Sequence, residues 1–505
     1  MMSPRRILVV GGGGSGVPLA VRLAEAGHEV DLIEAGPDPA FITDPSLRDA
    51  LHDARTVRAG LPDGALAWTY DAWLREDRPW RVARGRLLGG STAVNGAYFQ
   101  RPARGDFARW ETDGGAEWGY SACLPALRRL EHDRDFPGSP IHGGSGPVPV
   151  ERTGRGEPLT EAFLAGAVAD GATLRADKND GADEGVGLLP RNALAAERWG
   201  MWRAYGAAGP LPRLRVHADA LAARVLIVRG AAAGVEVQRA DGTRVVLDGD
   251  EVVLCAGAIE TPRLLFASGV GDPDALRSRG VPVHAAAPHV GAGLADHPAV
   301  DIGWRARPGM VAADPVAAWT AAWNAMLPGG EAVELLLAIA PTASVVGAPA
   351  SAGDALDLRV TLATPRSRGA VELGGRTALR YRYLDDAADA AALAAGVDLA
   401  ARLLRGPAFR GIVADVDDPP AAPGAREDWV RDRLGTSLHS CGTARMGPPG
   451  RGVVDPHGRV HGVAGLRVAD ASILPTVPSR GTALTAVMIG ERMAELIAAE
   501  VDSAG

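Results

Sequence analysis

The chain has 505 residues, 47 % of them hydrophobic and 23 % charged, with a net charge of −8; it is long enough to bury a large core in more than one unit, and this balance is that of a soluble globule rather than a disordered chain. The densest group of cations, Arg75, Arg78, Arg81, Arg84 and Arg86, is interrupted by acids and a tryptophan, so no nucleic acid is expected as a partner. Three widely spaced cysteines, Cys123, Cys255 and Cys441, exclude a disulfide framework and any Cys-x-x-Cys metal site, and no run approaches the roughly 18 apolar residues of a membrane helix, so a cytoplasmic protein without metal or transmembrane segment is expected. A peripheral membrane contact, useful for passing electrons to a quinone, stays open.

Ile7 to Val10 reads as a buried parallel strand that enters Gly11-Gly12-Gly13-Gly14-Ser15-Gly16 and then a helical pattern through Leu19, Leu23 and Ala24. Gly11, Gly13 and Gly16 hold the GxGxxG positions, which serve a tight turn, close approach to a pyrophosphate, and tight helix–strand packing. Gly14 and Ser15 open the helix, whose N-terminus then faces the phosphates. A second strand, Glu29 to Ile33, ends at Glu34, about 20 residues past the glycines, where a carboxylate accepts from an adenosine ribose hydroxyl. A 2′-phosphate would be repelled there, which argues against NADP. Alone, the motif serves NAD as well as FAD.

Gly85 to Pro102, GRLLGGSTAVNGAYFQRP, combines crowded glycines with small hydroxyl residues and one asparagine. Gly89, Gly90 and Gly96 permit close backbone approach, Ser91 and Thr92 offer hydroxyls, and Asn95 offers an amide to a bound cofactor. Through Asn95, Phe99 and Pro102 the run resembles the first signature of the glucose-methanol-choline (GMC) oxidoreductases, FAD enzymes that oxidise alcohols. Some members link their flavin covalently through a histidine just before the signature asparagine; here that position is Val94, which implies noncovalent FAD.

The hairpin-like strands Ala223–Val237, with Val225 counted among the cofactor contacts, lead to the apolar strand Glu251–Cys255 and to Gly257–Gly271, GAIETPRLLFASGVG. This looks like the second GMC signature: a strand, a small-residue turn, a helix starting at Thr261-Pro262, and Gly269 or Gly271 as its stop. In Pro288–Pro298, PHVGAGLADHP, Asp296 and His297 read as structural. Trp199, Trp202, Trp304, Trp319 and Trp323 are candidate lining for a substrate cavity; Trp319 and Trp323, four apart, are expected on one helix face. Asp415 to Pro423 reads as a surface loop.

His439-Ser440-Cys441-Gly442 resembles the segment that in GMC enzymes presents a histidine to flavin and substrate, and His439 is the matching residue. Removing an alcohol proton while hydride leaves for flavin N5 calls for a base titrating near neutral pH. A Cys441/His nucleophile finds no acyl-transfer signature around it. By the same resemblance, Asp470 at a strand end hydrogen-bonds the FAD, and the final helix, read over Leu484–Ile497 with Thr482 at its approach, lies against the flavin. One position departs from the pattern. Where most members carry a second His or Asn, this sequence has Gly481, leaving Arg480 or Thr482 as stand-ins.

The fold class implied is α/β: a Rossmann-like FAD-binding domain in three pieces, 1–155, 215–300 and 430–505, with a discontinuous cap domain, 156–214 and 301–429, built on a β-sheet with helices. The function implied is oxidation of a small or carrier-type alcohol, electrons passing to a quinone, a redox carrier or oxygen. Ser479-Arg480-Gly481, the Val94-Asn95-Gly96 context and the segment Asp133–Val150 are similar to the mycofactocin-associated branch, which implies an acceptor other than oxygen. A lyase on the same flavin fold, and a noncatalytic flavin-binding protein motivated by Gly481, stay open as alternatives.

Overall fold

The structure, a computed structural model, describes residues 4–206, 209–346 and 355–503. Its first sheet has five parallel strands in the order Leu214–His217, Glu29–Ile33, Arg6–Val10, Glu251–Leu254, Leu466–Val468. Parallel strands covered on both faces are apolar throughout rather than alternating, and Ile7, Leu8, Val9 and Val252 to Leu254 are wholly buried. The register sets Val10 beside Ile33 and Leu254, so three strand ends open together at one edge, where ligands bind in open α/β sheets. Helices Gly16–Glu25 and Thr482–Ser503 pack so closely that a Cβ at Gly490 would collide with the Ser15 carbonyl.

Helix Gly257–Ala267 begins earlier than the Thr261-Pro262 start expected from the sequence, and Pro262 lies inside it. A proline there leaves the carbonyl four residues back without its N–H donor. That carbonyl belongs to Ala258, and the Thr443 hydroxyl donates to it at 2.6 Å. The orphaned acceptor is thus satisfied from far along the chain.

The second sheet is antiparallel, in the order Val413–Val416, Pro298–Ala306, Ala355–Leu362, Ala332–Ala338, Trp319–Met326, Gly185–Leu188, with Gly435–Thr436 also paired to Pro298–Ala306. Helix Ala387–Arg405 packs on it. Trp319 and Trp323 therefore lie in a strand, not on a helix face as expected. Pairing on both sides of Trp319–Met326 overrides the four-residue spacing, and a register irregularity between Trp319 and Ala321 separates the roles of the two rings. The loop expected over Asp415–Pro423 narrows to 417–422, between an edge strand and helix Pro423–Arg433.

Two large hydrophobic clusters form most of the core. The first surrounds the parallel sheet and includes Met201, Ala204 and Tyr205; the second lies under the antiparallel sheet and includes Tyr70, Leu74 and Val82 from the hairpin Ala67–Arg75/Arg78–Gly85. Among the described residues no helix is long and apolar enough to cross a membrane.

Candidate active site

One cavity of about 880 Å³ runs from the ends of the parallel strands to the inner face of the antiparallel sheet. Its nucleotide end is built on glycine backbone. Gly11 turns the chain at φ +106°, and a Cβ there would lie 2.5 Å from the Cys255 carbonyl oxygen. Gly16 is packed against Gly11 so tightly that a Cβ would collide with its carbonyl, whereas a Cβ on Gly13 would meet nothing within 4 Å. Gly13 thus opens on the cavity, and Gly90 approaches its Cα from the second glycine loop. Gly14, Ser15, Ser91 and Thr482 line the same space. Gly16 and Gly89 do not line it; Gly89, at φ +96°, acts by turning the loop.

Glu34 closes this end. Its Oε2 accepts from Gly12 N–H at 2.8 Å and its Oε1 from Gly36 N–H at 2.9 Å. Burial pushes the carboxyl up to about 7, against the pull of those two bonds and of Arg86. Val225, expected at the cofactor, does not line the cavity: it is buried in its strand and its N–H donates to Ser268 Oγ at 2.8 Å. Ala220, Leu221 and Ala222 line the wall instead, just before a register irregularity between Ala222 and Arg224. The correction has a physical reason, since alternation along a strand cannot reveal where a bulge reverses the facing.

Asp470 lines the cavity with both oxygens engaged: Oδ2 accepts from Gly257 N–H at 2.8 Å and Thr261 O–H at 2.6 Å, Oδ1 from Ser472 N–H at 2.8 Å. It anchors the start of helix Gly257–Ala267. Asn95 Oδ1 accepts from Ala97 N–H at 3.0 Å, which leaves its amide hydrogens for a ligand. Gly96 must lack a Cβ because the Trp319 ring lies against it.

At the far end stand two histidines. Asp296, buried, accepts from the backbone N–H of both His297 and His439 at 2.7 Å through Oδ1, and from the Ser440 hydroxyl at 2.7 Å through Oδ2. The rings meet edge to face at 87°, with His297 Nδ1 2.9 Å from His439 Nδ1, while His297 Nε2 lies 3.1 Å from the Ala363 carbonyl oxygen. Burial lowers His297 to about 4, opposed by the carbonyls of Ala363 and Pro478. Burial, then His297, Arg84 and Arg359, hold His439 well below the usual histidine value. Both rings are therefore neutral at pH 7, and the near-neutral titration expected of His439 is not what the structure shows. The Ala363 carbonyl can only accept; with the His297 proton placed on Nε2 toward it, Nδ1 of His297 accepts and His439 donates from Nδ1. Its lone pair is left on Nε2, the atom 3.4 Å from where a Cβ on Gly481 would stand.

Gly481 is occupied by proxy. A Cβ there would lie 2.7 and 2.9 Å from two ring carbons of Tyr98, whose hydroxyl donates to Glu334 Oε2 at 2.7 Å and lies 2.7 Å from Gln100 Oε1. Arg480 is no stand-in: it is buried outside the cavity, its guanidinium spent on the carbonyls of Ser479, Ala182 and Asp183.

Family models of the GMC oxidoreductases match residues 6–299 and 365–490. The chain is a GMC oxidoreductase. It is 36 % identical to an uncharacterized GMC-type oxidoreductase of Rhodococcus erythropolis over 97 % of each chain, and 30 % identical to an oxygen-dependent choline dehydrogenase of Rhizobium johnstonii over 97 % of this chain and 95 % of the relative. Pyridoxine 4-oxidase from Mesorbium loti superposes with a TM-score of 0.87 at 27 % identity, over 97 % of this chain and 98 % of that one. A formate oxidase variant from Aspergillus oryzae superposes with a TM-score of 0.89 at 24 % identity over the whole of both chains, and shares the fold.

This GMC oxidoreductase is an FAD-dependent enzyme acting on alcohols, the family and cofactor expected from its sequence. Its residues fit that cofactor. Gly13 and Gly90 leave an open cradle for a pyrophosphate, and Glu34 and Asn95 offer polar atoms along the same cavity. Sequence reasoning missed Tyr98, although the residue lies in the quoted glycine loop, and took His297 as merely structural. Of the five tryptophans proposed to line the cavity only Trp319 does; Trp304 packs on Phe409 and Trp323 sits in the second core, while Trp199 and Trp202 pack against the first. Trp68 and Trp80 line the cavity instead. Cys255 and Cys441 are buried and their thiols pushed up by burial, so neither is a ready nucleophile.

Proposed function

We propose that the site oxidises a small or carrier-borne alcohol to its carbonyl, with His439 Nε2 as the base. Breaking the O–H and C–H bonds of CH–OH releases a proton from oxygen and a hydride from carbon, leaving C=O. Bound FAD supplies the hydride acceptor at N5. His439 takes the proton at Nε2 while its Nδ1–H stays bonded to His297 Nδ1, so the ring cannot turn as its charge develops. A base held this far below neutral takes the proton as the hydride departs, when the hydroxyl has become acidic. The observation that carries the reading is the His439 ring on the cavity wall, with its Nδ1 2.9 Å from His297 Nδ1 and its Nε2 beside Gly481.

Anaerobic mixing with a panel of alcohols tests it. Bleaching of the oxidised flavin spectrum is expected. Turnover without bleaching would indicate a lyase, and neither, across the panel, a noncatalytic flavin protein. In this reading segments 1–155, 215–300 and 430–505 carry the cofactor and 156–214 and 301–429 cover the substrate. Ser479-Arg480-Gly481 and Asp133–Val150 support membership of the mycofactocin-associated branch, with a redox carrier or quinone as acceptor; the name of the Rhizobium relative supports oxygen. Comparing flavin reoxidation by oxygen, a dye and a quinone decides between them. Three unpaired, buried cysteines support a cytoplasmic location.

A further inference from the structure

The short strand Glu131–Asp133 and the loop that follows it hold a buried polar cluster that lies outside the cavity and takes no part in proton abstraction. One ligand atom from each of Glu131, Asp133 and His142 lies within 4.8 Å of the other two, and all three side chains are buried. His142 Nδ1 is 2.7 Å from Glu131 Oε1 and 3.2 Å from Asp133 Oδ2. Two carboxylate oxygens beside that nitrogen, Glu131 Oε2 and Asp133 Oδ2, have no hydrogen-bond donor among the described residues. Both residues are 0 % exposed, and a buried carboxylate oxygen without a donor is costly. Unpaired anionic oxygens flanking an imidazole nitrogen are a donor set for a cation.

The far side of the ring is already oriented. His142 Nε2 lies 2.8 Å from Asp177 Oδ2, and Asp177 Oδ1 in turn accepts from Asn179 N–H at 2.8 Å and from Arg152 Nη2 at 2.6 Å. Phe136 stacks on the imidazole with the centroids 5.6 Å apart. A carboxylate that holds the second N–H of an imidazole fixes its plane and tautomer, which is the support that metal-binding histidines have behind them. The charges around the ring do not cancel. Arg101 Nη2 donates to Glu131 at 2.6 Å, Arg152 Nη1 donates to Asp133 at 3.0 Å and to Asp135 at 3.1 Å, and Arg128 spends its Nε on the His142 carbonyl. Burial would lower His142, but its bonds to Asp177 and Glu131 push it up to about 9. Even as an imidazolium it leaves Glu131, Asp133, Asp135 and Asp177 facing only three cations. A divalent ion in place of the Nδ1 proton brings the two signs level.

We propose that Glu131, Asp133 and His142 Nδ1 bind a divalent metal ion of the zinc class, with Asp177 as the carboxylate behind the histidine. Imidazole with carboxylate oxygens is a donor set that Zn²⁺ accepts. Binding forms the bond from the ion to Nδ1 and releases the Nδ1 proton to solvent, while the Nε2 proton stays toward Asp177; no electron is transferred. None of the three ligands lines the cavity, so the ion is structural and ties strand Glu131–Asp133 to the loop that closes at His142. Cysteine spacing, from which no metal was expected, is silent on a site made of carboxylates and imidazole.

The test uses the FAD-loaded protein, dialysed against a chelator and then equilibrated with Zn²⁺, its metal counted by elemental analysis and its flavin by absorbance. One retained equivalent is expected, and the thermal midpoint should rise as it binds. Asp133→Asn and His142→Gln should lose that equivalent while keeping FAD. Asp177→Asn, which leaves all three ligands in place, should weaken zinc binding by about 10–100-fold. A wild type that retains no zinc, or an equivalent that all three variants keep, an adventitious ion only, would overturn the site. Should the variants fail to fold, X-ray absorption of the zinc-loaded wild type decides: one imidazole among oxygen ligands is expected, and a shell with no imidazole or with several would overturn the proposal.

Discussion

Placing a methyl group at Gly481 tests the packing at the catalytic end. The Cβ of Gly481→Ala would lie 2.7 and 2.9 Å from the Tyr98 ring and 3.4 Å from His439 Nε2. Carbon atoms rest at about 3.5–4.0 Å, so the ring must retreat by roughly 0.6–1 Å. It is not free to do so, because its hydroxyl is tied to Glu334 and Gln100. Gly481 is not in the left-handed region, so the substitution brings no backbone strain and regains about 0.4–1 kcal/mol of chain entropy. Overpacking costs about 1–3 kcal/mol, and losing a bond to a charged carboxylate about 1.5–3 kcal/mol more. The net expectation is a loss of about 1.5–5.5 kcal/mol in denaturation of the holoprotein, with slower single-turnover flavin reduction. In a Tyr98→Leu background, where the ring edge is gone, the same substitution should cost less than about 0.5 kcal/mol. Equal cost in the two backgrounds would refute the idea that Tyr98 fills the place of the missing side chain.

Further outcomes follow from the site. His439→Ala should slow anaerobic flavin reduction by about 10²–10⁴-fold with FAD retained, and part of the loss should be recovered at high pH where hydroxide replaces the base; a variant keeping a tenth of the wild-type rate at neutral pH would shift attention to Thr482 or water. Because both histidines are held below the ordinary value, kcat/KM should show no inflection near pH 6.5 and should fall only at lower pH, where His439 is protonated, while His297 stays neutral until the pH nears 4. The unfolded chain, with histidine at about 6.5, takes up that proton first, so stability is full above that pH and drains as pH falls toward 4, which denaturation midpoints against pH would show. At the cofactor, Glu34→Ala should weaken FAD retention on dilution by about 1.5–3 kcal/mol, and acid precipitation should leave all the yellow colour in the supernatant, since Val94 offers no nucleophilic nitrogen.

What was legible in the sequence was whatever the backbone itself demands. Gly11, with its left-handed φ, and Gly16, packed against the Gly11 carbonyl, each carry a steric requirement that a side chain would not meet, and both stand at the turn the motif marks. The uniformly apolar strands Arg6–Val10 and Glu251–Leu254 announce a sheet buried on both faces. Features made by partners distant in sequence were not legible. Pro262 reads as a helix start because nothing nearby reveals that Thr443 will satisfy the carbonyl it frees. His297 reads as inert because its meaning lies in a ring 142 residues away. Trp319 and Trp323 read as helical because the strands that flank Trp319–Met326 lie on both sides in space and not in sequence.

The parallel sheet is assembled from strands that begin at Arg6 and finish at Val468. An order of synthesis follows from that arrangement. As the chain leaves the ribosome, its first two strands and glycine turn emerge early, yet the edge strand Leu466–Val468, the Asp470 anchor and the helix that packs on Gly16–Glu25 come last. Domains fold as units and long-range strand pairing is slow, so the nucleotide cradle stays open-edged until nearly the whole polypeptide has been made. Cofactor loading should thereby come late, and a chain interrupted anywhere before residue 466 should be recovered without flavin and with an unpaired sheet edge prone to aggregate.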